Sequence, residues 1–290
     1  MPKGGALNKQ IRLCSLFVIS VATMFLCSVP LSAQTRRALV IGIGEQVDKS
    51  WAKINGDKDV SYVRKMLEEA NYRNIQTLVN QHATKAGIVA AFQKLTRNCS
   101  KGDMVYVHFS GHGQLVTDIN GDEADGWDEA WIPYDACLKY NQNDRGEKHL
   151  IDDEVYALLA NIRNKIGETG KLMVVVDACH SGDSSRGDDI DETVRGVKDE
   201  FVIPGKKKGR VQKLSEQWLT LSACLDFQLN QEIKKPTVGK LTYALYSLSK
   251  DGDVSMDKIE NFMARYRSRL PQTPQQSGDI KTQKINDFLK

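Results

Sequence analysis

From about residue 37 onward, short apolar runs alternate with stretches whose apolar residues recur at helical spacing. Arg37 to Ile43 is a brief apolar run closing near glycine, the pattern of a strand buried on both faces. Val60, Val63, Met66, Leu67 and Ala70 then mark one face of a helix, Ile75 to Val79 a second strand, and Ile88, Ala91, Phe92 and Leu95 a second helix. A third strand, Met104 to Phe109, is broken by Ser110-Gly111-His112-Gly113. Val155, Leu158, Leu159 and Ile162 predict a third helix, and the β-branched run Leu172 to Val176 a fourth strand. Strands and helices in this alternation predict an α/β fold, a mostly parallel central sheet with helices on both faces. From about residue 183 to 213 the pattern dissolves into Asp, Gly, Ser, Arg and Lys, which predicts a long polar connection. Periodicity resumes with Trp218 to Ala223, a helix around Leu241 to Leu248, and another through Met256, Ile259, Phe262, Met263 and Tyr266. One domain with an internal loop is expected over about 34–290.

The first 33 residues follow different rules. Lys3, Lys9 and Arg12 precede an apolar run from Leu13 to Val29, and small residues follow Pro30. This reads as a secretory signal cleaved after Ala33; the competing reading is a retained anchor, against which the run is short and interrupted by Ser15, Ser20, Thr23 and Ser28. An exported protein, periplasmic or secreted, with no membrane span in the mature chain is expected. The leader also carries the charge imbalance. The 290-residue chain has 40 Lys and Arg against 37 Asp and Glu, and without the three leader bases the totals balance at 37. A nucleic-acid partner therefore loses its electrostatic footprint. The 41% apolar and 27% charged side chains exclude a disordered chain. Beyond the leader the cysteines are Cys99, Cys137, Cys179 and Cys224, too few for a disulfide scaffold.

In an open α/β sheet, chemistry gathers where strands end at their carboxyl edge. Two such ends stand out: Ser110-Gly111-His112-Gly113 after the third strand and Asp177-Ala178-Cys179-His180-Ser181-Gly182 after the fourth. They supply a thiol and a base. An imidazole beside Cys179 raises the thiolate fraction and returns the proton to a leaving amine, and the backbone N–H groups of Gly113 and Cys179 suit an oxyanion.

His-Phe-Ser-Gly-His-Gly at 108–113 and Asp-Ala-Cys-His-Ser-Gly at 177–182 resemble the catalytic motifs of metacaspases and orthocaspases among the caspase-like cysteine peptidases. Further similarity lies in Asn55-Gly-Asp57-Lys-Asp59-Val60, in Asp125-Gly-Trp127-Asp128-Glu129 with Ile151-Asp152-Asp153, and in Leu221-Ser-Ala-Cys224-Leu-Asp226-Phe-Gln228, Leu241-Thr242 and Gln272-Thr-Pro274-Gln275. The resemblance implies a caspase-like fold, with a large-subunit-like part over about 34–185 and a small-subunit-like part over about 214–290. It implies Cys179 as nucleophile and His112 as general base and acid. It also implies cleavage after Arg or Lys in protein or peptide substrates, through an acidic pocket of Asp59, Ser110 and Asp177, with Asp57 the competitor of Asp59. A calcium site maps onto Asp128, Asp152 and Asp153, although the family's fourth acidic ligand falls on Arg186, where Asp183 or Asp188 would have to substitute.

Asp118, Asn120, Asp122 and Glu129 also occupy positions of an EF-hand loop, but Glu123 stands where glycine is needed, so an acidic surface loop is expected instead. His108 reads as a packing or hydrogen-bonding residue, and Cys224, which lacks a histidine motif, as structural. Gly42-Ile-Gly44 lacks the third glycine of a dinucleotide loop. The basic run Lys206 to Arg210 and the sites near Arg186 and Arg195 are candidate self-cleavage points. The expected function is an exported cysteine endopeptidase; the alternative is a catalytically silent caspase-like scaffold, which has no need of both Cys179 and His112.

Overall fold

The computed structural model describes residues 34–179, 193–197, 199–205, 216–225, 228–266 and 270–290. The expected leader, Arg186 and the run 206–210 lie outside the described residues. The first half of the chain gives β1 (Arg36–Gly42), α1 (Gly56–Glu69), β2 (Asn74–Val79), α2 (Lys85–Asn98) and β3 (Met104–Ser110). Then come β4 (Gly113–Thr117), β5 (Trp127–Trp131), β6 (Leu150–Ile151), α3 (Asp152–Ile166) and β7 (Lys171–Asp177). The remainder supplies β8 (Leu219–Ser222), β9 (Glu232–Ile233), β10 (Val238–Gly239), α4 (Lys240–Lys250), α5 (Met256–Met263), β11 (Gln275–Gly278) and α6 (Ile285–Leu289).

The main sheet has the order β11-β8-β7-β3-β1-β2, parallel except for β11 against β8. All seven residues of β3 are buried, as its unbroken apolar run predicts for a central strand covered on both faces. The chain steps from β1 outward to β2, then back past β1 to β3 and on to β7. Right-handed crossovers running in opposite directions put their helices on opposite faces. Accordingly α1 packs with α4, α5 and α6 over Val40, Tyr106 and Val175, while α2 and α3 cover Leu39, Val107 and Val174. That reversal between β1 and β3 opens a crevice at the carboxyl edge of the sheet, the usual place for a site.

Two features depart from the sequence reading. The acidic segment is built into a second, three-stranded antiparallel sheet β4-β5-β6, with Gly113 opposite Trp131 and Thr117 opposite Trp127. These strands are too short to register as alternation. The stretches 193–197 and 199–205, expected as polar connection, are packed against the body. Phe201 is fully buried and bridges Val116: its N–H donates to the Leu115 carbonyl at 2.8 Å and its carbonyl accepts from Thr117 N–H at 3.0 Å. Isolated apolar residues, Val197, Phe201 and Ile203, do this within an otherwise polar composition by joining the cluster of Trp51, Ala130, Ile132 and Ala136. No helix among the described residues is long and apolar enough to cross a membrane.

Candidate active site

Ser110 and Asp177 are paired across β3 and β7, so His112 and Cys179, each two residues further on, leave the sheet side by side. Adjacent strands lie about 4.8 Å apart, which sets the two residues on neighbouring chain ends. His112 is fully buried, and its Nε2 lies 2.8 Å from the Ala52 carbonyl. A carbonyl only accepts, so Nε2 carries the hydrogen and Nδ1 holds the lone pair when the ring is neutral. Nδ1 has no hydrogen-bond partner among the described residues. Trp51 flanks the ring at 5.1 Å between centroids and is itself tied to the Ala136 carbonyl through its indole N–H at 3.1 Å. Burial pushes the His112 pKa down to about 4, so the imidazole is neutral and able to accept a proton. The Cys179 thiol is also buried and donates to the Gln228 carbonyl at 2.8 Å.

Beside this pair is a dry pocket with three carboxylates. Asp59 comes from the first turn of α1, Asp177 from the end of β7 and Glu232 from β9, and Arg195 lies among them with its side chain fully buried. Arg195 Nη1 is 2.6 Å from Asp59 Oδ2 and 3.2 Å from Asp177 Oδ1, and Nε is 3.0 Å from Glu232 Oε1. Gly239 forms the wall: a Cβ there would stand 2.4 Å from Asp177 Oδ2 and 2.7 Å from Arg195 Nη1, so only glycine leaves room for a guanidinium. The start of α4 faces the same carboxylates, with Gly239 N–H donating to Asp59 and Thr242 N–H to Asp177. Asn230 Nδ2 and the Thr242 hydroxyl complete the shell of Asp177 at 2.7 and 2.5 Å. Burial works against each charge. Even so, Arg195, Thr242 and Asn230 hold Asp177 below the usual carboxylate range, while burial raises Asp59. The carboxylates in turn raise the Arg195 pKa.

The expected pocket residues Asp59, Ser110 and Asp177 are thus brought together. Asp57 stands apart, its carboxylate against Gly44. His108 is buried and hydrogen-bonding, as expected: Nε2 lies 3.0 Å from Ser110 Oγ and 3.2 Å from Thr242 Oγ1, and Nδ1 lies 3.2 Å from Tyr106 OH. Glu232, Asn230 and Gly239 were not singled out by the sequence, whose apolar and motif patterns are silent on isolated polar residues in a short hairpin.

The segment carrying Arg195 crosses the site, paired at Val194 and bending at Arg195 and Gly196. Val194 bridges Gln231 in antiparallel fashion, Arg195 N–H donates to the Asn230 carbonyl at 2.9 Å, and Glu232 N–H donates to the Thr193 carbonyl at 3.1 Å. The next residue, Gly196, lies over the thiol, where an added Cβ would be 3.1 Å from Cys179 Cβ and 3.4 Å from its Sγ. On the far side the Gln114 amide holds the Asp199 carbonyl at 2.6 Å.

A separate acidic group gathers where β4, β5 and α3 meet. Carboxylate oxygens of Asp118, Asp122 and Asp128 lie within 4.8 Å of one another. Asp128 Oδ1, Asp122 Oδ1 and Asp152 Oδ1 are buried without a hydrogen-bond partner among the described residues, and Asp153 Oδ2 accepts from Asn120 at 2.6 Å. Burial, with the neighbouring carboxylates, pushes both Asp128 and Asp152 up to about 7. β4 ends at Thr117 and β5 begins at Trp127, so residues 118–129 are not the loop of a helix-loop-helix calcium hand.

Solved structures share this architecture. A Geobacter sulfurreducens protein superposes with a TM-score of 0.62 and 26% identity over 88% of this chain and 97% of its own. Caspase-1 from Spodoptera frugiperda, at 11% identity, has the same fold with a TM-score of 0.53 over 84% of this chain and 86% of its own. The fold is caspase-like. The metacaspase, peptidase C14 domain family matches residues 36–185, and the chain belongs to that family. Among curated relatives, Metacaspase-1B of Aspergillus terreus is 32% identical over 158 residues, 51% of this chain and 38% of its own length. Metacaspase-1 of Coccidioides immitis is 27% identical over 286 residues, 88% of this chain and 58% of its own. The chain therefore spans less than two thirds of these relatives.

Proposed function

We propose that this chain is a cysteine endopeptidase that cleaves after Arg or Lys and that its own Arg195–Gly196 bond is its first substrate. The observation that carries this is Arg195 itself, whose cation fills a dry acidic pocket while the following peptide group lies over Cys179. Buried carboxylates that would repel one another are stabilised by one guanidinium, which is what a specificity pocket for a basic side chain requires. Family membership supports the same reading.

In this mechanism the Cys179 thiol gives its proton to Nδ1 of His112 as sulfur attacks the Arg195 carbonyl carbon. Ala52 holds the ring in the tautomer that accepts at Nδ1. The N–H groups of Gly113 and Cys179 are assigned to the oxyanion. The imidazolium then protonates the Gly196 nitrogen as the C–N bond breaks, and water hydrolyses the thioester with the same ring as base.

The family also implies calcium, and the residues present fit a hard cation: all donors are carboxylate oxygens, and three of these are buried with no hydrogen bond among the described residues. We assign Asp118 and Asp122 to this site beside the expected Asp128, Asp152 and Asp153. A bound cation would neutralise their mutual repulsion. Export remains part of the proposal on the composition of the leader alone.

Fluorogenic peptides ending in Arg, Lys or Asp, offered to wild type and Cys179→Ala with calcium or chelator, test the activity. Intact-mass analysis tests self-cleavage. Hydrolysis after Arg or Lys that disappears in Cys179→Ala, with fragments joining at 195 and 196, is expected. Absence of any Cys179-dependent cleavage would turn the assignment to the silent scaffold.

A further inference from the structure

The search for unexplained chemistry leads to Cys224, which the proposed mechanism leaves unused. Cys224 is buried in a small cluster with Cys179 and Leu229, bordered by Val194 and Leu270. The sulfurs of both cysteines are directed at one atom: the Gln228 carbonyl oxygen is 2.8 Å from Cys179 Sγ and 3.4 Å from Cys224 Sγ. Their separation is therefore no more than the sum of those two distances. The backbone agrees. The parallel register of β7 with β8 pairs Val176 with Ser222, and Ala223 N–H still bonds the Val176 carbonyl at 3.0 Å just beyond it. Continued by two residues, this register sets Cys224 opposite Ala178, one residue from Cys179. With neighbouring strands about 4.8 Å apart and a rise of about 3.3 Å for that one residue, the Cys179–Cys224 Cα spacing is about 6 Å, inside the range of about 4.4–6.8 Å that a disulfide bridges. Both cysteines also line a cleft of about 630 Å³ that extends between β8 and α3, past Trp218 and Tyr156. A small oxidant entering that cleft meets both.

We propose that Cys224 is a resolving cysteine, and that a Cys179–Cys224 disulfide formed by hydrogen peroxide is a reversible resting state of the enzyme. The Cys179 thiolate attacks one peroxide oxygen, forming an S–O bond, breaking O–O and releasing hydroxide that becomes water. Cys224 sulfur, deprotonated, then attacks Cys179 sulfur; S–S forms, S–O breaks, and a second water leaves. Two thiols lose two electrons in all, and one peroxide gains them. The sulfenic acid is captured before it advances to the irreversible sulfinic acid, and a dithiol reverses the bond. This rests on Cys179 being the reactive thiolate, yet its primary readout is covalent and does not depend on peptidase activity.

The test treats the wild-type protein, Cys224→Ala and Cys137→Ala with hydrogen peroxide, followed by non-reducing peptide mapping and then dithiothreitol. Wild type and Cys137→Ala should give a peptide joining 179 to 224, with a loss of about 2 Da, and should return to the starting mass on reduction. Cys224→Ala should instead gain about 32 Da at Cys179, which reduction does not reverse. Where peptidase activity is present, reduction should restore nearly all of it to wild type and less than a tenth to Cys224→Ala. Sulfinic acid at Cys179 of wild type without the cross-linked peptide would overturn the proposal, whether or not peptides are cleaved. A cross-link in protein that cleaves nothing would uphold the thiol pair and reject the peptidase reading alone.

Discussion

Arg195 reaches Asp59 across 136 residues of sequence, Nη1 to Oδ2 at 2.6 Å, and neither side chain has any exposed surface. A buried pair of this kind is a poor source of net stability, because desolvation offsets the attraction, but removing one partner strands the other. Arg195→Ala leaves Asp59, Asp177 and Glu232 facing one another without a cation. The 193–197 segment should detach rather than stay seated, so cleavage at 195–196 disappears while hydrolysis of an added Arg peptide rises several-fold, because the pocket is vacated. The cost to the closed form is roughly 3 kcal/mol or more. Intact mass, thermal melting and peptide turnover on the same preparation check these together; an Arg195→Ala protein still cut at 195–196 would refute the assignment.

Glu232 should determine the choice between the two basic residues. Its Oε1 takes the Nε–H of Arg195, a donor that lysine lacks, and it also accepts from the Asn55 backbone N–H at 2.7 Å. A hydrogen bond to a charged group is worth ~1.5–3 kcal/mol. Glu232→Gln should therefore lower the ratio of kcat/KM for Arg over Lys peptides by about tenfold or more, chiefly by weakening Arg. Equal losses for both peptides would show that Glu232 only holds the Asn55 loop.

The depressed His112 pKa predicts the acid limb of self-cleavage. Burial favours the neutral ring, so the base is competent above about 4 and is lost as it takes up a proton below that. In the closed form, single-turnover cleavage at 195–196 should change little between pH 7 and about pH 5.5, then fall toward pH 4. A limb centred near the ordinary histidine value of about 6.5 would mean that the ring is solvated when it reacts.

How much of this was legible beforehand differs by element. The central strands and both candidate catalytic loops were readable, because continuous apolar runs such as Leu172 to Val176 and glycine-flanked His112 are local signals. Asp59, Ser110 and Asp177 came from resemblance, and the geometry now brings them together. Arg195 is legible in the sequence as one of several candidate self-cleavage points in a polar stretch, but not as the occupant of the acidic pocket. Its burial depends on carboxylates contributed by α1, β7 and β9, which no local pattern connects. A hint was present in its neighbours Val194, Gly196 and Val197, an apolar and small setting unlike the rest of that stretch. Likewise Gly239 reads as an ordinary turn residue until Asp177 and Arg195 are seen against it.

The acidic group should respond to calcium in a pH-dependent way. Asp128 and Asp152, raised to about 7, are protonated in the metal-free fold below that value, whereas in the unfolded chain they ionise near 4. The folded state thus binds more protons between those limits, and these two carboxyls lose their stabilising contribution as pH rises toward 7. Calcium requires the ionised forms, so protons compete with it. The rise in Tm produced by calcium should be larger at pH 7.5 than at pH 5.5, reversed by chelator, and several-fold smaller in Asp128→Asn, because the Asp128 Oδ1 that would bind the ion is buried without a hydrogen bond among the described residues. Measuring the shift in a Cys179→Ala background separates binding from self-cleavage. A calcium effect of equal size at both pH values, or one untouched by Asp128→Asn, would place the ion elsewhere.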